Sequence, residues 1–172
     1  MQDTLPIHFA PLQGYTEAIY RNAHDAFFGG VDTYYTPFVR LEKGNFRRRD
    51  VRGIEPENNG VPHLIPQLIA SSAEKAEVIL SLFIEKGYQE VDINLGCPFP
   101  LLAKRHNGSG ILPYPEEVKA LLSIVTRYPQ ISFSVKMRLG WEQPDECLAL
   151  APILNDLSLI HISEPTRPIS IS

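Results

Sequence analysis

The chain has 172 residues, 44% of them hydrophobic, which suits one domain with a buried core and excludes a disordered segment. No apolar run approaches the roughly 20 residues of a membrane helix, and the first four residues lack the basic and apolar regions of a signal peptide, so a soluble cytoplasmic protein is expected. The net charge of −4, from 16 Lys+Arg against 20 Asp+Glu, argues against a protein that coats nucleic acid nonspecifically, while leaving room for local basic faces.

In chain order, residues 7–10 read as a buried strand ended by Pro11 and Gly14. Residues 16–28 read as a helix with Thr16 as its N-cap and Ile19, Ala23 and Phe27 on its apolar face; Gly29-Gly30 stops it. Residues 33–36 form a second strand. Residues 42–59, rich in Gly, Pro, Asn and Arg, read as a long basic surface excursion. A third strand follows at 63–68. A helix from Ser71-Ser72 to Lys86 then buries Ala76, Ile79, Leu80 and Phe83 and stops at Gly87. A fourth strand covers 90–94, a helix with Pro115 at its start covers 115–127, a fifth strand covers 131–138, and another helix begins at Pro144.

Strand and helix alternating at this spacing imply an α/β fold with parallel strands and helical crossovers. No Gly-x-Gly-x-x-Gly follows the first strand, which weakens an open dinucleotide-binding sheet. Polar and special residues cluster instead just after the strands: Gln13, Gln67, Asn94 to Cys97, and Lys136 to Arg138. Active sites of (β/α)8 TIM barrels sit at those strand ends, so a partial barrel of about five βα units is expected.

The two cysteines show no Cys-x-x-Cys or Cys/His metal spacing, and a disulfide is not expected in a cytosolic chain, so no metal is assigned. Cys147 lies in a helical pattern and reads as a small core residue. Cys97 differs: Asp92-Ile93-Asn94-Leu95-Gly96-Cys97-Pro98 delivers Asn94 on a strand and holds the thiol in a tight turn, ahead of Gly108-Ser109-Gly110-Ile111-Leu112. Asn94 offers donor and acceptors, which suits the edge of a nucleobase. Arg47-Arg48-Arg49 with Lys43 and Arg52, and Lys104-Arg105-His106, are basic clusters that read first as solvated loops.

These motifs together resemble the tRNA-dihydrouridine synthase family of flavin enzymes. Ala10-Pro11-Leu12-Gln13-Gly14-Tyr15-Thr16-Glu17 is similar to its first-strand motif, with Leu12 for the usual Met and Glu17 for the usual Asp. Pro66-Gln67-Leu68, Asn94-Leu95-Gly96-Cys97-Pro98 and Val135-Lys136-Met137-Arg138-Leu139-Gly140-Trp141 match its later motifs in order and separation. The resemblance implies that Pro11, Leu12 and Gln13 lie against the ring of FMN. It also implies that Gln67 bonds the ring's polar edge and that Lys136 places a positive charge beside it. It further implies reduction of uridine in tRNA to 5,6-dihydrouridine with NADPH or NADH as reductant. Cys97 would be the catalytic acid that protonates C5, Asn94 would hold the base, and Lys104, Arg105 and Arg47 to Arg49 are candidates for phosphate contacts. A monomer is expected.

Two other readings remain open: an FMN barrel reductase of a free pyrimidine, like dihydroorotate or dihydropyrimidine dehydrogenases, and a non-enzymatic RNA-binding fragment. The family's later strands, phosphate-binding loop and helical domain have no counterpart in the chain, so weak FMN binding and little turnover are expected of it alone. Residues 157–172 resemble the translation of a transposon-end sequencing adapter. The expected division is therefore an FMN-binding barrel portion at 1–156 and a non-native tail at 157–172; the alternative for the tail is a strand at 159–163 with a disordered end.

Overall fold

The computed structural model describes residues 5–159, and strands alternate with helices along them. In chain order the elements are β1 (His8–Phe9), α1 (Ala18–Phe27), β2 (Thr33–Tyr35), β3 (Leu41–Glu42), β4 (Asn45–Phe46) and α2 (Arg48–Ile54), followed by a 3-10 turn at Pro56–Asn58. Next come β5 (Leu64–Ile65), β6 (Gln67–Leu68), α3 (Ala73–Glu85), β7 (Glu90–Leu95) and α4 (Pro100–Ala103), then a 3-10 turn at Gly108–Ile111. α5 (Pro115–Arg127), β8 (Ser132–Met137) and α6 (Glu146–Asp156) complete the described chain.

β1 pairs with β2 and β2 with β5; β6 pairs with β7 and β7 with β8, all in parallel. β5 and β6 are two halves of the expected third strand, separated by Pro66, which has no N–H to give a ladder. The strands therefore neighbour one another in sequence order. A doubly wound sheet reverses that order beside its first strand, whereas a (β/α)8 barrel keeps it. The chain is a partial (β/α)8 barrel, as the spacing of its elements predicts.

β7 sets the centre of the core. Val91, Ile93 and Leu95 are fully buried and cluster with Ala76, Ile79, Leu80 and Phe83 of α3 and Val118, Leu121, Leu122 and Ile124 of α5. Each buried Leu, Ile or Phe contributes on the order of 1.5–3 kcal/mol, before the entropy of ordering it is counted. The period of two puts Asp92 and Asn94 on the opposite face of β7 from these residues. α3 begins as expected at Ser72, whose hydroxyl accepts from the Lys75 N–H.

Three local expectations are corrected. Ile19, Ala23 and Phe27 do not face the core: Ile19 and Phe27 are 84% and 83% exposed, and α1 buries Ala18 and Arg21 instead. The Arg21 guanidinium donates to Thr16 O at 2.6 Å, Gly53 O at 2.8 Å and Asn59 Oδ1, so a polar tether, not an apolar stripe, orients this helix. Thr16 does not cap α1; its hydroxyl accepts from the Leu12 N–H at 2.8 Å and so folds the post-β1 loop back on itself.

The 42–59 stretch is not simply a surface excursion. It holds most of the β3–β4 hairpin, then α2 and a 3-10 turn, and buries Asp50, Gly53 and Ile54. Cys147 is half-buried against the core in α6. Leu157 packs on the core and Leu159 is buried. The remainder of the expected tail, and of the alternative strand at 159–163, lies from residue 160 onward outside the described residues.

Candidate active site

Parallel register brings the polar residues of three strands into rows. Gln67 of β6 and Ser134 of β8 both pair in register with Asp92 of β7. Lys136 of β8 pairs with Asn94 of β7 in the same way. Registered neighbours share a face of a sheet, so these side chains stand on the face opposite α3 and α5.

Within the rows the side chains form one continuous chain of hydrogen bonds. Ser134 Oγ donates to Asp92 Oδ1 at 2.7 Å, and Gln67 Nε2 donates to Asp92 Oδ2 at 2.5 Å. Asn94 Nδ2 donates to Gln67 Oε1 at 2.7 Å. Asn94 Oδ1 then accepts from the backbone N–H groups of Gly96 at 3.0 Å and Cys97 at 2.9 Å. The Asn94 side chain thus builds the turn that presents Cys97, and Gln67 is packed beneath it with only 1% exposure.

The same turn is held from two other sides. The Cys97 carbonyl accepts from Ser109 N at 3.0 Å and Ser109 Oγ at 2.9 Å. Arg138, just past β8, donates from Nε to Gly96 O at 3.0 Å. Gly108 has φ +60°, and a Cβ there would lie 2.6 Å from Cys97 O, so a glycine is required at this approach.

Burial pushes the Cys97 thiol above its ordinary pKa, against smaller opposing effects from the Phe99 backbone, Arg138 and Arg40. The group is a neutral thiol near pH 7, suited to giving a proton and poorly suited to nucleophilic attack. Burial likewise raises the Asp92 carboxyl to about 6, opposed by its bonds to Gln67 and Ser134 and by Lys136. Burial lowers the pKa of Lys136, while Asp92 supports its charge and Arg138 opposes it. Lys136 is half-buried and has no hydrogen-bond partner among the described residues.

Pro11, Leu12 and Gln13 follow β1, and no hydrogen bond among the described residues joins them to the Gln67–Asn94–Cys97 group. Leu12 is 57% exposed. Both polar atoms of the Gln13 amide are buried with no partner among the described residues. Such an amide calls for a ligand with a donor and an acceptor side by side. A flavin has such an edge in its pyrimidine ring, so the residues present fit that class of cofactor.

The basic clusters divide. Arg47 is committed to the buried Asp50 through two hydrogen bonds, Nε to Oδ2 at 2.8 Å and Nη2 to Oδ1 at 2.7 Å. Arg48, Arg49, Lys104 and Arg105 are exposed. No helix among the described residues is long and apolar enough to cross a membrane, and no group of three metal-ligating side chains occurs among them.

The sequence points to Cys97, Asn94, Gln67 and Lys136, and the fold brings them to one end of adjacent strands. The sequence alone assigns no role to Asp92, Ser134, Ser109 or Arg138. Asp92 had one readable signal: two residues before Asn94 on a strand is the same face. Ser134 and Ser109 had none, because inter-strand register and loop closure decide their partners.

A partial (β/α)8 barrel with a polar, cysteine-bearing set of strand ends is the frame of many oxidoreductases and does not by itself choose one. Comparison with known proteins makes the choice: the profile described as Dihydrouridine synthase (Dus) matches residues 8–158, and the chain belongs to that family. A tRNA-dihydrouridine(16) synthase of Pseudomonas putida is 29% identical over 167 residues, covering 92% of this chain and 51% of its own length. A probable tRNA-dihydrouridine synthase 1 of Synechocystis sp. is 29% identical over 139 residues, covering 77% of this chain and 37% of the relative. A tRNA-dihydrouridine synthase B of Klebsiella pneumoniae is 29% identical over 94 residues, 54% of this chain and 29% of the relative. The chain spans about half or less of the length of these relatives.

Proposed function

We propose that the chain is the cofactor-binding, acid-bearing part of an enzyme that reduces uridine in tRNA to 5,6-dihydrouridine. The observation that carries this reading is the Asn94–Cys97 turn, a neutral thiol held by a side chain that is itself locked from below. Family membership and the relatives' names support the choice of reaction.

In this reading FMN sits among Pro11, Leu12, Gln13, Gln67 and Lys136. Bound there, it supplies a hydride, drawn in turn from NADPH or NADH. The protein's own residues do the rest. The free Gln13 amide meets the polar edge of the ring, and Lys136 sets a positive charge beside it. Asn94 keeps one N–H after its bond to Gln67 and so has a single donor to offer, while Gln67 is fixed between Asp92 and Asn94 at the floor of the site. The target base leaves its stack to reach the strand ends. Cys97 gives its proton to C5 as hydride arrives at C6, so the 5,6 double bond takes up two hydrogens in all and the thiolate is left to regain a proton from water. The exposed Arg48, Arg49, Lys104 and Arg105 contact phosphates.

The test is a chimera in which residues 8–158 replace the matching part of the Pseudomonas putida relative. Supplied with FMN, NADPH and unmodified tRNA, it forms dihydrouridine in the tRNA and leaves free uracil and orotate unreduced. Reduction of the free pyrimidines instead of tRNA would replace this reading with that of a small-molecule reductase.

A further inference from the structure

The buried carboxylate of Asp92 lies two residues before Asn94 on β7 and makes no hydrogen bond to Cys97 among the described residues. Its two oxygens are used by Gln67 of β6 and Ser134 of β8, and it is only 2% exposed. A desolvated carboxylate is costly to keep, so its retention at the centre of three strands needs a reason.

The reason lies in the direction of the hydrogen bonds. A backbone N–H can only donate, so the N–H groups of Gly96 and Cys97 require Asn94 to turn its oxygen toward them. The Asn94 nitrogen then faces Gln67, which must present its oxygen. The Gln67 nitrogen is thereby turned toward residue 92, which must accept. An ionised carboxylate is acceptor-only and cannot accommodate the reversed orientation of Gln67.

We infer that Asp92 is a positioning residue: anchored by Ser134 and accepting from Gln67, it locks the Gln67 and Asn94 amides in one orientation and so holds the turn that presents Cys97. The inference rests on the reading of Cys97 as the acid only for its functional meaning; the relay itself is independent of flavin and tRNA. The other charged or titratable groups facing Asp92 are Lys136 from β8, which favours its ionised form, and Tyr35 from β2, with Glu90 further along β7 itself.

The experiment is amide hydrogen exchange on the full 172-residue chain, without flavin or tRNA, at about pH 8, where a carboxyl with a pKa near 6 is ionised. Asp92→Ala should speed exchange at Gly96 and Cys97 by about tenfold or more, while Val91 and Ile93 within the β7–β8 pairing keep their protection. A residue that merely supports the fold would speed all four together.

A second pair of variants decides the matter even if Asp92→Ala does not fold. Gln67→Glu sets two carboxylates against each other and should also speed exchange at Gly96 and Cys97. Adding Asp92→Asn to it reverses that one hydrogen bond: the new amide donates to the new carboxylate, whose other oxygen still accepts from Asn94. The double variant should therefore recover most of the lost protection. Unchanged exchange in Asp92→Ala, or a double variant no better protected than Gln67→Glu alone, overturns the inference. Either result would leave the proposed reaction standing, because that is read separately from dihydrouridine formation by the chimera.

Discussion

Ser109 holds Cys97 with two hydrogen bonds to one carbonyl, from its N–H at 3.0 Å and its Oγ at 2.9 Å. The residue before it, Gly108, makes that approach possible. Gly108→Ala must both strain a φ of +60° and push a methyl group into Cys97 O. It should cost about 1–3 kcal/mol of stability, read as a lowered midpoint in thermal unfolding. It should also make Cys97 easier to alkylate before the chain unfolds.

The Cys97 thiol is pushed up by burial, so little thiolate exists near neutral pH. Iodoacetamide should modify Cys97 more slowly at about pH 7 than it modifies a small free thiol. The pH midpoint of the rate should lie above the ordinary cysteine value of about 8.5. Peptide mass spectrometry separates this site from Cys147. A midpoint below the ordinary value would point to an activated nucleophile instead.

Asp92 makes stability depend on pH with a definite sign. Its folded-state pKa is raised from 3.8 to about 6, so the native protein holds this proton more tightly than the unfolded chain does. The stabilisation from that proton is fully present below about pH 4 and is lost as pH rises through about 6. Asp92→Asn removes the titration while keeping an acceptor for Gln67. Relative to the native chain, the variant should gain on the order of 2–3 kcal/mol between about pH 4 and pH 7.5. Urea unfolding of both proteins at the two pH values checks this, since the other carboxylates cancel in the comparison.

The three consecutive arginines should behave differently. Arg47→Ala strands the buried Asp50 without its bidentate partner and should cost about 2–4 kcal/mol in urea unfolding. Arg48→Ala lies on the exposed side and should leave stability within about 0.5 kcal/mol, while Arg49→Ala, whose Nε lies 3.6 Å from Asp50 Oδ1, should cost more than Arg48→Ala and less than Arg47→Ala. In the chimera Arg48→Ala and Arg49→Ala should each weaken tRNA binding and lessen its salt dependence.

The fold was legible where one local rule decided the outcome. Ser72, Gly87 and Pro115 mark helix ends with residues that have few other uses, and α3, β7, α5 and β8 lie within a residue or two of their expected bounds. α1 was misread because its every-fourth apolar residues outvoted Arg21, a side chain whose burial depends on partners at Gly53 and Asn59, far away in sequence. The 42–59 stretch was misread because its polar composition hides a hairpin turned at Lys43 and Gly44, both at positive φ, and an apolar anchor at Ile54. Of the candidate site, Cys97, Asn94, Gln67 and Lys136 were named through motif resemblance and strand ends. Asp92 and Ser134 were not, because their roles exist only once β6, β7 and β8 are in register.

The central claim is that Cys97 gives the proton, and it is tested most directly in a single turnover of the pre-reduced chimera with unmodified tRNA. Cys97→Ala should bind the tRNA with unchanged affinity and form dihydrouridine slower by about a hundredfold or more, the usual contribution of a positioned general acid. Dihydrouridine appearing at the same rate in the native chimera and the Cys97→Ala form would contradict the account.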